Sequence, residues 1–162
     1  MESTTNETPA IKMWHLPDTV PQIQIHYSRP HLNGLKQITT SGSAYEVLKE
    51  CFDPSKMDYT KSLVVLLLTR GNYLLGIAEA SKGSSIQTAV TPAEISQLAL
   101  LAHAKGIIIG HNNPAGTLKA SEFDTRVHQR LKEALKLFEM ALFDHIIVTS
   151  EGYYSFSDQG VL

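Results

Sequence analysis

Short apolar runs alternate with amphipathic stretches along most of this chain. The continuous apolar runs at 63–68 (LVVLLL) and 107–109 (III) are typical of strands that are covered on both faces. Arg70-Gly71-Asn72 predicts a hairpin turn that leads into a returning strand at 73–80. Further strands are predicted at 85–90, 142–148 and 153–156. Together these runs predict the strands of one sheet.

Capping residues mark the predicted helix starts. Thr91-Pro92-Ala93-Glu94 combines an N-cap, a proline at the first helical position and a capping-box glutamate. Ser121 is a good N-cap for an amphipathic helix that runs to about Phe138. Ser43 and Glu46 have capping-box spacing and predict a shorter helix before the first strand. This order of elements predicts an α/β domain with a mixed sheet and flanking helices.

The N-terminal part of the chain differs from the rest in composition. Residues 1–22 mix Ser, Thr, Asn and Pro with isolated apolar residues, which predicts an irregular arm. Residues 22–27 (QIQIHY) alternate strictly and predict a short, half-buried strand at a sheet edge. The 162 residues have the length of one domain, and residues 23–162 are predicted to form it.

Charge and cysteine content narrow the classes of function. Lys and Arg number 14 against 16 Asp and Glu, so no basic excess is present to neutralise a phosphate backbone. A single cysteine, Cys51, allows no internal disulfide and fits a reducing compartment. The polar N-terminus has no apolar signal segment, and the longest apolar run is too short to cross a bilayer. We therefore expect a cytoplasmic protein with no strong nucleic-acid signal and no membrane segment.

The segment from His111 to Asp124 carries the candidate chemistry. Side chains two residues apart in an extended segment project to the same side, so His111 and Asn113 would face one point, opposite Asp124. A catalytic zinc takes three protein ligands and leaves a position for water. Ser121 would bind that water or an oxyanion. Alternatively, Ser121 and Asp124 would form only an N-cap with a first-turn carboxylate.

This segment resembles the JAMM motif, His-x-His followed by Ser-x-x-Asp, of the JAB or MPN metalloproteases. More narrowly, it resembles the RadC-like branch, in which the loop is HNHPSG and is followed by PSxxD. Here residues 111–116 are HNNPAG and residues 120–124 are ASEFD. Similar segments occur at 66–72 (LLLTRGN), 142–148 (LFDHIIV) and 151–156 (EGYYSF). The resemblance covers roughly residues 40–162.

The resemblance implies a fold and an activity. The fold would be a JAB/MPN-like (cytidine-deaminase-like) mixed sheet with flanking helices, in a short form without the helix-hairpin-helix region of longer RadC proteins. The activity would be zinc-dependent hydrolysis of a peptide or isopeptide bond. His111 and Asp124 would be metal ligands, Asn113 a weak third ligand, and Ser121 the catalytic hydroxyl.

Two departures from the family pattern fall on chemical roles. Asn113 replaces the second ligand histidine, and an amide oxygen is a weaker donor to zinc than an imidazole nitrogen. Losing even an outer partner of a ligand costs about 10- to 100-fold in metal affinity or activity, so losing a ligand costs more. Lys61 stands where an ungapped register expects the catalytic glutamate, with Glu79 and Asp58 as alternative bases. Both departures argue against full activity.

The other histidines near the motif are expected to be structural. His145 lies within the predicted strand 142–148 and is expected to be a hydrogen-bonded core residue. His128 lies one turn after Asp124 and is expected on the exposed face of the helix.

Three functions are consistent with these features. The first is a zinc-dependent peptidase or isopeptidase, with weakened activity. The second is a pseudoenzyme without a cofactor that binds a protein or peptide partner, or forms a homo-oligomer. The third is a DNA-repair-associated accessory domain, which the name of the family suggests and the charge does not. Because a fold alone does not confer function, the departures favour weakened or lost metal binding and catalysis.

Overall fold

The structure is a computed structural model, and it describes residues 34–83 and 91–161. The predicted N-terminal arm (1–22) and the predicted strand at 22–27 lie outside the described residues. The predicted strand at 85–90 also lies outside them. None of the helices in the described part of the chain has the length and hydrophobicity of a membrane-spanning segment.

The described residues form one mixed sheet and three helices. In chain order the elements are α1 (Ser41–Cys51), β1 (Lys61–Leu68), β2 (Leu74–Gly83), α2 (Pro92–Leu101), β3 (Gly106–Asn112), α3 (Glu122–Lys136), β4 (Ala141–Thr149) and β5 (Gly152–Ser155). The strand order is β2-β1-β3-β4-β5. The β3 and β4 strands are parallel, and the other neighbouring pairs are antiparallel. The predicted α/β fold with a mixed sheet is confirmed.

Each face of the sheet carries its own apolar core. On one face α2 and α3 cover Ile107 and Ile109, whereas on the other face α1 covers Ile108. Successive residues of a strand point to opposite faces, so the apolar run of β3 supplies both cores. The close packing is visible at Gly110, where an added Cβ would lie 2.5 Å from Leu48 of α1. The domain therefore has three layers, with the sheet in the middle.

The predicted caps of α2 and α3 are confirmed, and that of α1 is corrected. Thr91 and Ser121 cap α2 and α3, and each forms a capping box. In α1 the N-cap is Thr40, and the Ser43 hydroxyl at the third helical position accepts a hydrogen bond from the Thr40 backbone N–H (3.0 Å). The predicted Ser43–Glu46 box is wrong because the helix begins earlier.

Strand pairing brings the motif residues to one end of the sheet. The β3 strand continues beyond its apolar run to Asn112, and His111 pairs with Leu63 of β1. Lys61 is the first residue of β1, just beyond this pair. The loop that follows β3 leads back to the start of α3, where Ser121 is the N-cap.

Candidate active site

His111, Asp124 and Ser121 lie together, as the sequence predicts. The Nε2 atom of His111 lies 3.5 Å from Oδ1 of Asp124, and both residues are buried. The other carboxylate oxygen, Oδ2, accepts hydrogen bonds from the Ser121 hydroxyl (2.6 Å) and from the Ser121 backbone N–H (3.0 Å). The Asp124 backbone N–H in turn donates to the Ser121 hydroxyl (3.1 Å). The carboxylate therefore has partners on both oxygens.

Lys61 approaches the same carboxylate. Its Nζ atom lies 3.6 Å from Oδ1 of Asp124, the oxygen that also faces His111. The Lys61 side chain is 28% exposed, so it lies at the boundary between the site and solvent. The site opens into a surface cavity, and the two alternative bases, Glu79 and Asp58, do not line it.

Asn113 directs its amide into the loop that follows β3. Its Nδ2 donates to the Thr117 carbonyl (2.7 Å), and its Oδ1 accepts from the Ala115 backbone N–H (3.3 Å). Asn113 lines the same cavity as His111. Coordination of a metal by Oδ1 would compete with the turn that this amide stabilises.

The side chains as they stand do not fit a three-ligand zinc site. Zinc in proteins is bound by imidazole, thiolate and carboxylate groups, and His111 and Asp124 supply two of these. The described residues contain no group of three or more His, Cys, Asp or Glu side chains placed to hold a metal ion. The neighbouring polar groups are the Asn113 amide and the Lys61 ammonium, and an ammonium has no lone pair to donate.

Burial, neighbouring charges and hydrogen bonds together set the protonation states at the site. Burial, together with the positive charge of Lys61, lowers the pKa of His111 to about 4, although Asp124 opposes this shift. Burial acts to raise the pKa of Asp124, but His111, the hydrogen bonds from Ser121 and the charge of Lys61 outweigh it, and the pKa is lowered. Near neutral pH the site therefore holds a neutral imidazole and an ionised carboxylate beside an ammonium group.

Two further histidines extend the site into the core. The Nε2 atom of His145 lies 2.9 Å from Nδ1 of His111, which confirms the expected hydrogen-bonded core histidine. The prediction for His128 is wrong, because this residue is 2% exposed and its ring stacks on Phe156 at 5.0 Å. The buried positions of α3 are 124, 128, 131 and 135. That spacing is helical, and it is the signal that identifies His128 as a core residue.

Asn112 is a positioning residue that the sequence analysis missed. It is 1% exposed, and its Nδ2 donates to the carbonyls of Met57 (2.8 Å) and Thr60 (2.7 Å). Its Oδ1 accepts from the Ser62 backbone N–H (2.7 Å). One side chain thus ties the end of β3 to the segment that leads into β1. That segment carries Lys61 to the site.

A cavity of about 530 Å³ opens at this site. Its walls come from the loop between β3 and α3, from the start of α3, and from Tyr59 and Lys61. The volume is within the range of small-molecule sites, about 300 to 1,000 Å³.

Comparison with known proteins identifies the family of the chain. The family described as RadC-like JAB domain matches residues 38–161. The chain belongs to this family. The match includes every described helix and strand, so the RadC-like domain includes the described sheet and the site at its end.

Several RadC-like relatives have similar sequences. The UPF0758 protein of Herminiimonas arsenicoxydans is 36% identical over 126 residues, which are 78% of this chain and 50% of that protein. The UPF0758 protein of Flavobacterium johnsoniae is 32% identical over 127 residues, which are 78% of this chain and 54% of that protein. A third, from Neisseria meningitidis, is 38% identical over 99 residues, 61% of this chain and 44% of that protein. The chain spans about half the length of the curated relatives it matches.

Proposed function

We propose that this chain is a RadC-like JAB domain that has lost zinc-dependent hydrolysis and acts as a non-catalytic binding domain. The Lys61 ammonium would take the place of the metal cation. The observation that carries the proposal is the ion pair between Lys61 Nζ and Asp124 Oδ1, at 3.6 Å. Asp124 is the carboxylate that the family resemblance makes a metal ligand.

The charge at Asp124 supports this proposal. A buried carboxylate is costly unless an opposite charge and hydrogen bonds compensate it. Lys61 supplies the charge, and Ser121 supplies the hydrogen bonds. Two unit charges about 4 Å apart interact by about 4 kcal/mol at an effective dielectric constant of about 20. A divalent cation on Asp124 would therefore be repelled by several kcal/mol until Lys61 moved away.

The residues at the positions of the catalytic groups also support a loss of activity. A general base must accept the proton of the attacking water, and a carboxylate near the water is the group that the family pattern expects. In an ungapped register Lys61 occupies the position of that carboxylate, and its ammonium forms an ion pair with Asp124. The Ser121 hydroxyl already donates to Asp124 at 2.6 Å. Neither side chain is thus free for the role that the resemblance implies.

Metal analysis of four proteins tests the proposal. The unmodified chain, Asn113→His, Lys61→Gln and the double variant are equilibrated with zinc, dialysed, and assayed for bound metal. We expect little zinc in the unmodified chain and in either single variant, because Asn113→His keeps the ammonium at Asp124 and Lys61→Gln lacks a third ligand. The double variant should approach one zinc per chain, because it has a third ligand and lacks the competing charge. Adding Asp124→Asn to the double variant is the control, and it should remove the metal again.

Thermal unfolding gives a second measurement of zinc binding. A ligand at 100 times its Kd stabilises the folded state by about 2.7 kcal/mol. Added zinc should therefore raise the melting temperature of the double variant and leave that of the unmodified chain unchanged. Stoichiometric zinc in the unmodified chain would overturn the proposal. Stoichiometric zinc in Asn113→His alone would show that Lys61 does not displace the metal.

A further inference from the structure

We propose that the cavity beside Lys61 binds an organic carboxylate on an apolar group. The source of the carboxylate would be a small carboxylic acid or the C-terminal residue of a peptide. This inference rests on the proposed loss of the metal, since it assigns the Lys61 ammonium the role of ligand contact.

The charges that line the cavity favour a monoanion. The charged side chains on its walls are Lys61, Lys119 and Asp124, which leaves a surplus of one positive charge. Asp124 is compensated on both oxygens by Lys61, His111 and Ser121. Lys119 has no carboxylate within salt-bridge distance among the residues that the structure describes. A ligand carboxylate would supply the missing negative charge.

The hydrogen-bond donors at the cavity match the same ligand. A lysine ammonium has three N–H donors, and among the described residues Lys61 forms an ion pair with Asp124 at 3.6 Å, which is longer than a hydrogen bond. Lys61 lines the cavity with its side chain 28% exposed, so its remaining donors are accessible from that space.

The rest of the lining explains why an apolar group should accompany the carboxylate. Pro114, Ala115, Ala120 and Tyr59, whose side chains are largely apolar, are among the residues that line the cavity. Ligand sites are typically apolar with a few polar groups that fix orientation. The volume of about 530 Å³ accommodates a branched or aromatic acid.

The test uses the intact chain after treatment with a chelator, with its zinc content measured before and after. Isovalerate and isovaleramide, which have the same shape but differ in charge, are titrated while amide NMR spectra are recorded. The acid should shift signals of the loop between β3 and α3, and the amide should not. A short peptide that ends in valine, with a free or amidated C-terminus, forms the second pair of probes. Tighter binding of the free-ended peptide would identify a peptide terminus as the source, and tighter binding of isovalerate a small acid.

Two lysine variants and one control test the assigned contacts. Lys119→Gln should weaken isovalerate binding by about two- to fivefold, as expected for an exposed charge pair. Lys61→Gln should weaken it by about tenfold or more, because this donor is partly buried and charged. Lys136→Gln replaces an exposed lysine at the end of α3 that does not line the cavity, and it should have no effect.

The outcomes separate this inference from the proposed function. Any of three results would overturn the carboxylate site. These are equal responses to acid and amide, no response to isovalerate or to the free-ended peptide, and binding that both lysine variants leave unchanged. If the metal-free protein gives no response, the carboxylate inference fails and the loss of zinc stands. If the purified chain holds zinc and the chelator abolishes acid binding, a metal holds the acid and both proposals fail.

Discussion

Replacing Asn112 by alanine removes three hydrogen bonds that join the end of β3 to the segment before β1. The amide is donor to the carbonyls of Met57 and Thr60 and acceptor from the backbone N–H of Ser62. Alanine leaves all three backbone groups without this partner. The variant therefore tests whether one buried side chain holds this segment in place.

The expected cost follows from the number and burial of these bonds. An internal hydrogen bond contributes about 0.5 to 1.5 kcal/mol net, and a buried group that is left unsatisfied costs about 1 to 3 kcal/mol. The bond to Met57 is buried, whereas those to Thr60 and Ser62 are partly buried and can be replaced in part by water. We expect Asn112→Ala to lower the free energy of unfolding by about 2 to 4 kcal/mol. That is a large share of the roughly 5 to 15 kcal/mol that stabilises a typical domain.

The adjacent asparagine supplies a matched control. Asn113 also makes hydrogen bonds to backbone groups, but these bonds are exposed. Asn113→Ala should cost less than about 1 kcal/mol. Urea unfolding of the two variants and the unmodified chain measures the difference. Equal losses of stability in the two variants would refute the argument from burial.

Two other predictions concern the buried histidines and the packing of α1. The pKa of His111 is lowered to about 4, and burial is the main cause that lowers the pKa values of His128 and His145. The unfolded chain takes up these protons near pH 6.5, so stability should fall as the pH drops from about 6.5 towards 4; a flat series of urea midpoints over that window would contradict this. Gly110→Ala should cost about 1 to 3 kcal/mol, because its Cβ would lie 2.5 Å from Leu48; an unchanged urea midpoint would show that α1 adjusts freely.

Local patterns made much of the fold predictable. The apolar runs of β1 and β3 are short and uninterrupted because these strands are covered on both faces. The caps at Thr91 and Ser121 were predictable because a capping box involves residues three positions apart. The proximity of His111 and Asp124 followed from a motif in which a strand, a loop and a helix start are consecutive.

Contacts between distant segments were not predictable in the same way. The hydrogen bonds of Asn112 depend on the antiparallel pairing of β1 and β3, and an apolar run does not specify its neighbour in a sheet. The approach of Lys61 to Asp124 depends on the same pairing. His128 was predicted to be exposed, whereas α3 buries this position together with Leu131 and Leu135. Sequence patterns assign polar side chains to the exposed face of a helix, so a buried histidine is predicted to be exposed.

Ser121 and Asp124, the Ser-x-x-Asp part of the motif, cap each other, and this gives them a structural role that needs no metal. Each residue binds the backbone N–H of the other, and loss of an N-cap typically costs about 1 kcal/mol. Selection for a stable helix start would therefore favour both residues even in a chain without catalytic activity. A Ser-x-x-Asp pair in this family is therefore not by itself evidence for a bound metal.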